Sequence, residues 1–493
     1  MKDAGEYPLA AIAWERLADE YGAIARSRRV AEGGGKYGAF PPGMPEYPPS
    51  LSLRDYQHQA VENWLRHRGR GILKMATGSG KTIVALAIAT ELYRKIGLQV
   101  LLVVCPFRHL VAQWGRECEQ FNLQPLLAFE SVRKWQNELS TQLYNLRAGD
   151  RDFLTVIVTN STFTSEGFQS QLPFFPPKTL LIGDEAHHLG SGRCSEYLPR
   201  NIGLRLALSA TPERYFDADG TDALIGYFGA VLQPEFTLKD AIACGALARY
   251  FYYPLLVELT PVETAIYAKL TQQIGWALSE NDNLRGNETL TSLLMKRSRL
   301  IGSAANKLNV LRELMKTRLE TTHTLFYCGD GTVEERGNST RQLEAVTRIL
   351  GTELGYRVNI YTADTPLAER EKLREQFERG DLQGLVSIRC LDEGVDIPAI
   401  ENAVILASTA NPRQFIQRRG RILRPHPGKT RATLFDTIVI PPDCDREVWE
   451  VERNLLRKEL RRFLEFADLA ENSEEAKATL SIIQKKYRLS RND

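Results

Sequence analysis

The chain has 493 residues, 43% hydrophobic and 25% charged, with 63 Lys and Arg against 61 Asp and Glu for a formal net charge of +2. This is ordinary globular usage for about three domains, which excludes global disorder. So small a net charge also excludes nucleic-acid binding through a global basic field, so any such site is a local patch.

No apolar run, Val100 to Cys105 included, approaches a membrane span, and the start Met1-Lys2-Asp3-Ala4-Gly5-Glu6 lacks the apolar core of a secretory signal. The seven cysteines (Cys105, Cys118, Cys194, Cys244, Cys328, Cys390, Cys444) are scattered, with no pair at metal-ligand spacing. That argues against a zinc module, an iron–sulfur cluster or a disulfide framework, and points to a reducing, cytoplasmic setting.

Residues 1–50 read as an appendage. Leu9, Ile12, Trp14, Leu17, Tyr21 and Ile24 recur near helical spacing, which predicts a helix from Pro8 to Arg28. Gly33-Gly34-Gly35 breaks it, and five prolines between Phe40 and Ser50 predict an extended linker. From Leu51 to about Phe236, short apolar runs alternate with longer amphipathic ones. The predicted strands are Gly71–Met75, Val100–Cys105, Phe153–Val158, Thr179–Ile182 and Leu204–Leu208. Such alternation predicts a mostly parallel sheet covered by helices.

Residues 237–310 carry few strand signals after Tyr250–Leu259 and read as a helical connector. A second alternating block runs to Ile440, with strands predicted at Thr324–Tyr327, Arg357–Tyr361, Gly384–Ile388 and Ala403–Ala407. Within it Thr365 is placed to cap a helix, Pro366 suits its first position and Gly380 follows its end. Residues 445–490 read as helical: Val448, Val451, Leu455, Leu456, Leu460, Phe463 and Leu464 form one stripe, and Asn472 with Glu475 has the spacing of a capping box.

Three segments carry chemistry. Ala76-Thr77-Gly78-Ser79-Gly80-Lys81-Thr82 follows a strand signal and opens a helix signal. Glycines let backbone N–H groups approach a phosphate chain, Lys81 reaches the outer phosphates, and the Thr82 hydroxyl ligates Mg2+. Met75 stands where such loops usually have their first glycine. Asp184-Glu185-Ala186-His187 ends the run Leu180-Leu181-Ile182. There Asp184 can hold Mg2+ and Glu185 can polarise an attacking water, although an acidic helix N-terminus gives the same letters. In Gln417-Arg418-Arg419-Gly420-Arg421-Ile422-Leu423-Arg424, Arg421 and Arg424 lie one helical turn apart. They can neutralise charge on a transferring phosphoryl group; the plain alternative is a solvated basic face. Trp64 and Trp135 are expected as packing anchors, His188 as a polar neighbour, and Arg453, Arg457, Lys458, Arg461 and Arg462 as a solvated helix face.

The ordered set resembles the superfamily-two helicases and translocases with a DEAH signature, over about residues 51–437. Leu53-Arg54-Asp55-Tyr56-Gln57 resembles the adenine-sensing motif, in which Gln57 reads the base and Arg54 stacks on it. The stretch Cys105-Pro106-Phe107-Arg108, continuing to Gln113-Trp114, resembles the first nucleic-acid-contacting motif, with Pro106, Arg108 and Gln113 as contacts. Ser209-Ala210-Thr211 resembles the motif that couples hydrolysis to movement, with His187 assigned to the same role. Gly394 and Asp396, in Asp392-Glu393-Gly394-Val395-Asp396, match the motif touching ribose and nucleic-acid backbone, and Asn411 to Ile416 leads into the arginine motif with Gln417.

The wording is most similar to restriction-system (Res-type) subunits, bacterial defence helicases and XPB-like repair helicases. The resemblance implies two RecA-like parallel-sheet domains in tandem, at 51–236 and 311–440, with a helical connector at 237–310 and a helical C-terminal segment at 441–493. It implies ATP and Mg2+ as cofactors and DNA, single- or double-stranded and largely without sequence preference, as the partner. The roles follow: Lys81, Glu185, Gln417, Arg421 and Arg424 catalytic; Arg54, Gln57, Thr77, Gly78, Ser79, Gly80, Lys81, Thr82, Gly394 and Asp396 on ATP; Thr82 and Asp184 on the metal. The expected function is an ATP-dependent DNA helicase or translocase of phage defence, restriction or repair. No nuclease constellation is legible, so a restriction role requires a nuclease or modification partner. The alternatives are an RNA helicase, disfavoured by the mere 69 residues after Arg424, and an ATP-gated DNA-binding scaffold.

Overall fold

A computed structural model describes residues 12–28, 41–213, 217–279, 288–335, 338–362, 364–388, 397–407, 419–443 and 449–489. Contacts divide the chain into two units, Met1–Asp240 and Ala241–Asp493.

The first unit contains β1 (Arg70–Lys74), β2 (Val100–Cys105), β3 (Pro125–Ala128), β4 (Leu154–Thr159), β5 (Thr179–Asp184) and β6 (Leu204–Ser209). They form one six-stranded sheet in the order β1-β6-β5-β2-β4-β3, parallel throughout. Apart from Thr155 and Arg205 the strand interiors are apolar, because both faces are covered, as a parallel sheet requires. In β2, Leu101, Val103 and Cys105 point to one core with the helices Asp55–Arg66, Lys81–Ile96 and Arg108–Gln120. Val100, Leu102 and Val104 point to the other, with the helices Val132–Ala148 and Ala218–Phe228. That two-residue alternation is the doubly wound architecture read from a single strand.

The predicted strands lie within one or two residues of those observed, except β3, whose four residues carry too short a signal. The N-terminal helix Trp14–Arg28 belongs to this core, contrary to the reading of residues 1–50 as an appendage. Trp14 meets the fully buried Trp64 edge-on at 6.4 Å, and Tyr21 Oη shares a hydrogen bond with His58 Nδ1 at 2.8 Å. Trp64 and Trp135 are packing residues, both at most 1% exposed.

The second unit contains β7 (Arg249–Glu258), β8 (Thr324–Cys328), a hairpin of β9 (Thr332–Glu335) and β10 (Asn338–Arg341), β11 (Val358–Tyr361), β12 (Gly384–Ile388), β13 (Asn402–Ile405) and β14 (Arg431–Ile440). Its six-stranded sheet runs β11-β12-β8-β13-β14-β7, again parallel. These two sheets are the tandem RecA-like pair that the resemblance implies.

The stretch 237–310 differs from a plain helical connector. Its strand β7 pairs along ten residues with β14 and closes the edge of the second sheet. Asn472, expected to cap its own helix Ser473–Lys486, turns to that edge instead. Its Oδ1 accepts from Tyr252 N at 2.8 Å and its Nδ2 donates to Tyr252 O at 3.0 Å. An exposed sheet edge otherwise leaves such groups open, and here the C-terminal segment satisfies them. The helix expected after Thr365 begins at Leu367, one residue later than read, with extended Pro366 at the capping position. The segment 445–490 is helical over Trp449–Asp468 and Ser473–Lys486.

Two buried ionic groups hold this unit together. Arg419, 1% exposed, pairs with the fully buried Asp436 of β14, which also accepts from Tyr252 Oη at 3.0 Å. Arg297 bridges Glu452 at 3.2 Å and Glu459 at 3.0 Å, joining the helix Glu288–Gly302 to Trp449–Asp468. Breaking a buried pair strands an uncompensated charge at a cost of roughly 3–5 kcal/mol. Asp436→Ala is therefore expected to lower the thermal midpoint of this unit by on the order of 10 °C in a calorimetric scan; a shift under about 2 °C refutes the structural role given to the pair. Among the described residues no helix is long and apolar enough to cross a membrane.

Candidate functional site

In an all-parallel sheet the C-terminal strand ends share one edge, and ligands bind there. In the first unit that edge collects three of the sequence segments. The glycine-rich loop leaves β1, Asp184 ends β5 and Ser209 ends β6, with Lys74 level with Ser209 and Asp184 level with Leu208.

The loop turns twice through the left-handed region, at Gly78 (φ 83°) and Gly80 (φ 80°). At Gly80 the space is closed as well, because an added Cβ would stand 2.5 Å from Gln57 Nε2. Met75, in place of the usual glycine, is 3% exposed and packs into the core below, so the loop is built from its second half. Ser79 O accepts from Tyr56 Oη at 2.8 Å and Gln57 Nε2 at 3.2 Å, while Gln57 Oε1 takes Arg54 N at 2.9 Å. Lys81 opens the helix Lys81–Ile96, with Thr82 after it, and its Nζ donates to Met75 O at 3.2 Å and Ala76 O at 3.4 Å.

The Thr77 and Ser79 hydroxyls are buried without a hydrogen-bond partner among the described residues. Orphaned buried hydroxyls are costly, and a ligand rich in acceptors, set at a helix N-terminus beside a lysine, answers them. A phosphate chain fits this cradle.

Asp184 is 9% exposed. Its Oδ1 accepts from Glu185 N and its Oδ2 from Trp114 Nε1, both at 2.9 Å. Burial pushes its pKa up to about 6, with the Glu185 charge adding to the rise, and the Trp114 bond and the Lys81 charge opposing it. A carboxylate held this far from water takes a cation readily, because the cation restores what burial removed. Each oxygen keeps a lone pair beyond its single donor, so Asp184 with the Thr82 hydroxyl fits a hard divalent metal.

Glu185 sits in the left-handed region (φ 44°, ψ 50°), and its Oε2 lies 3.5 Å from His187 Nδ1. His187 is buried, its ring tilted against that of His188 at 4.2 Å, and His188 also meets Phe107 edge-on at 5.6 Å. Ser209 Oγ accepts from Thr211 N at 3.1 Å. Pro106 and Gln113 are half-buried and Arg108 is exposed, 3.8 Å from Glu130. Arg54 is exposed at the start of the helix Asp55–Arg66.

In the second unit, Arg421 is 6% exposed and Arg424 half-buried. With Arg419 also buried, the described part of this stretch, Arg419 to Arg424, is not a solvated basic face. Gly394, Asp396 and Gln417 lie outside the described residues.

Sequence reasoning gave no role to Tyr56, which stacks on Phe236 at 3.8 Å while holding Ser79 O. It used Trp114 only as a family mark. Both contacts join residues distant in the chain, and no local pattern reports them.

Residues 50–214 match the family described as Type III restriction enzyme, res subunit, and residues 306–426 match the Helicase conserved C-terminal domain. A DNA 3'-5' translocase XPB2 of Sulfurisphaera tokodaii is 29% identical over 417 residues, covering 80% of this chain and 83% of that protein. The ATP-dependent Type ISP restriction-modification enzyme LlaBIII, solved bound to DNA, superposes with a TM-score of 0.55 at 20% identity over 88% of this chain. This chain covers only 33% of that larger enzyme. The helicase domain of Pyrococcus furiosus Hef gives a TM-score of 0.50 at 16% identity, over 82% of this chain and 98% of that one.

Proposed function

The chain is a superfamily-two helicase resembling Res-type restriction subunits and XPB-like proteins, and from that premise we propose that it hydrolyses ATP to move along DNA, as a translocase or strand-separating helicase in restriction or repair. One observation carries the reading: two orphaned hydroxyls and a lysine line a glycine-turned loop, beside a buried aspartate on the same sheet edge.

In this reading Lys81 and the loop N–H groups hold the phosphates, and Gln57 and Arg54 read the base. Asp184 and Thr82 hold Mg2+, which neutralises phosphate charge when bound. Glu185 orients the attacking water. Arg421 and Arg424 of the second unit, with Gln417, take the charge that develops on the transferring group. His187, Ser209 and Thr211 relay hydrolysis to movement. Gly394 and Asp396 touch ribose and backbone, while Pro106, Arg108 and Gln113 contact the nucleic-acid backbone. The reading sets the enzyme in the cytoplasm, with a nuclease or modification protein as partner where it serves restriction.

The test is steady-state ATP turnover by the full chain with no nucleic acid, duplex DNA, single-stranded DNA and RNA in parallel. Stimulation by duplex DNA is expected of a translocase, and stimulation by single strands of a strand-tracking helicase. Stimulation by RNA alone overturns the substrate. Tight ATP-dependent DNA binding without stimulated turnover replaces the motor by a scaffold.

A further inference from the structure

We infer that Trp114 is a positioning residue for the metal, its indole N–H fixing the rotation of the Asp184 carboxylate so that the free lone pairs face the phosphate loop. The inference rests on the reading of Asp184 as the metal's carboxylate.

Trp114 lies on the helix Arg108–Gln120, on the buried face it shares with Leu110, Val111, Gly115 and Cys118. The side chain is 1% exposed. An indole has one donor and no acceptor, and a donor this deep is costly unless paired. Its partner is Asp184 Oδ2 at 2.9 Å, 70 residues along the chain on the neighbouring strand. With the carboxylate ionised the bond is charge-assisted, and so stronger than one between neutral groups.

Asp184 ends its strand, and among the described residues two donors hold its carboxylate, Glu185 N and Trp114 Nε1. One donor, Glu185 N, would pin a single oxygen and leave the other to swing. Two donors on two oxygens set the plane, and each oxygen then offers one remaining site. Groups of this kind, which hold a ligand rather than touch the metal, typically change metal affinity by about 10–100-fold when removed. Packing alone does not require the N–H: a phenylalanine would fill most of the space and donate nothing.

The experiment uses the full chain and a fluorescent ADP analogue, with affinity read against Mg2+ concentration and in EDTA. Two variants separate the bond from the packing. Trp114→Phe removes the donor and part of the ring. Substituting 3-benzothienylalanine at position 114 keeps the bicyclic shape and replaces the N–H by sulfur. Both are expected to raise the Mg2+ needed for half-maximal nucleotide affinity about tenfold, with the affinity in EDTA unchanged. A shift for the phenylalanine variant but not the sulfur analogue assigns the effect to packing and overturns the inference. No shift in either overturns it too, as does an equal loss of affinity with and without Mg2+. If the wild-type chain binds the nucleotide equally well in EDTA, the metal role of Asp184 fails first and the inference falls with it.

Discussion

Lys81→Ala is expected to reduce ATP turnover at least about 100-fold, to background in a coupled assay, at saturating DNA and nucleotide. The size follows from what the ammonium does at this position. Removing one preorganised group that faces developing charge in a secluded site typically costs about two to three orders of magnitude in rate. Lys81 is half-buried at the first turn of the helix Lys81–Ile96, where the N-terminal dipole already favours anions. Its Nζ rests on Met75 O and Ala76 O, at the root of the loop whose hydroxyls are orphaned. It is also near enough to Asp184 for its charge to oppose the rise in that carboxyl's pKa. One ammonium therefore serves the loop and the carboxylate together. Alanine is the best helix former, so the substitution costs the helix nothing, and the melting curve should stay within a few degrees. Turnover within tenfold of wild type refutes the role given to Lys81.

The fold was legible where covalent neighbours carry the signal. Strands such as Val100–Cys105 are continuous apolar runs because both their faces are covered, and their limits follow. β14 was not read as a strand, since Thr433, Asp436 and Thr437 interrupt its apolar run. Asp436 is tolerated there because Arg419 neutralises it and Tyr252, 184 residues away, donates a hydrogen bond to it. The strand signal at Tyr250–Leu259 marks β7, but nothing local shows that it pairs with β14, which lies far along the chain. In the site, the glycine loop and Asp184-Glu185 were legible because each is contiguous. The Trp114–Asp184 bond and the Tyr56–Phe236 stack were not, because the fold alone brings those residues together. The N-terminal helix stands where its spacing predicts, but its place in the core was not legible, for a related reason. Its stripe of Trp14, Leu17 and Tyr21 shows that a face is buried, but not that it is buried against Trp64 and His58.

Glu185→Gln is expected to separate binding from chemistry, with nucleotide affinity within about threefold of wild type and the single-turnover hydrolysis rate lowered by about 100- to 10,000-fold, the usual span for a general base. The substitution suits the question because it changes so little else. Glu185 occupies the left-handed region, which strains any side chain with a Cβ, and glutamine bears that strain as glutamate does. The backbone N–H that holds Asp184 Oδ1 is untouched, so the carboxylate beside it keeps its donor. Removing the Glu185 charge also relieves part of the upward pressure on the Asp184 pKa, which favours the charged form that a cation needs. Binding is therefore protected while the group that would accept the proton of water is gone. The contact with His187 at 3.5 Å sharpens the comparison, since an amide oxygen or nitrogen can still face that ring. Hydrolysis and binding falling together would make Glu185 a structural residue of the turn, and the water-orienting role would pass to another group.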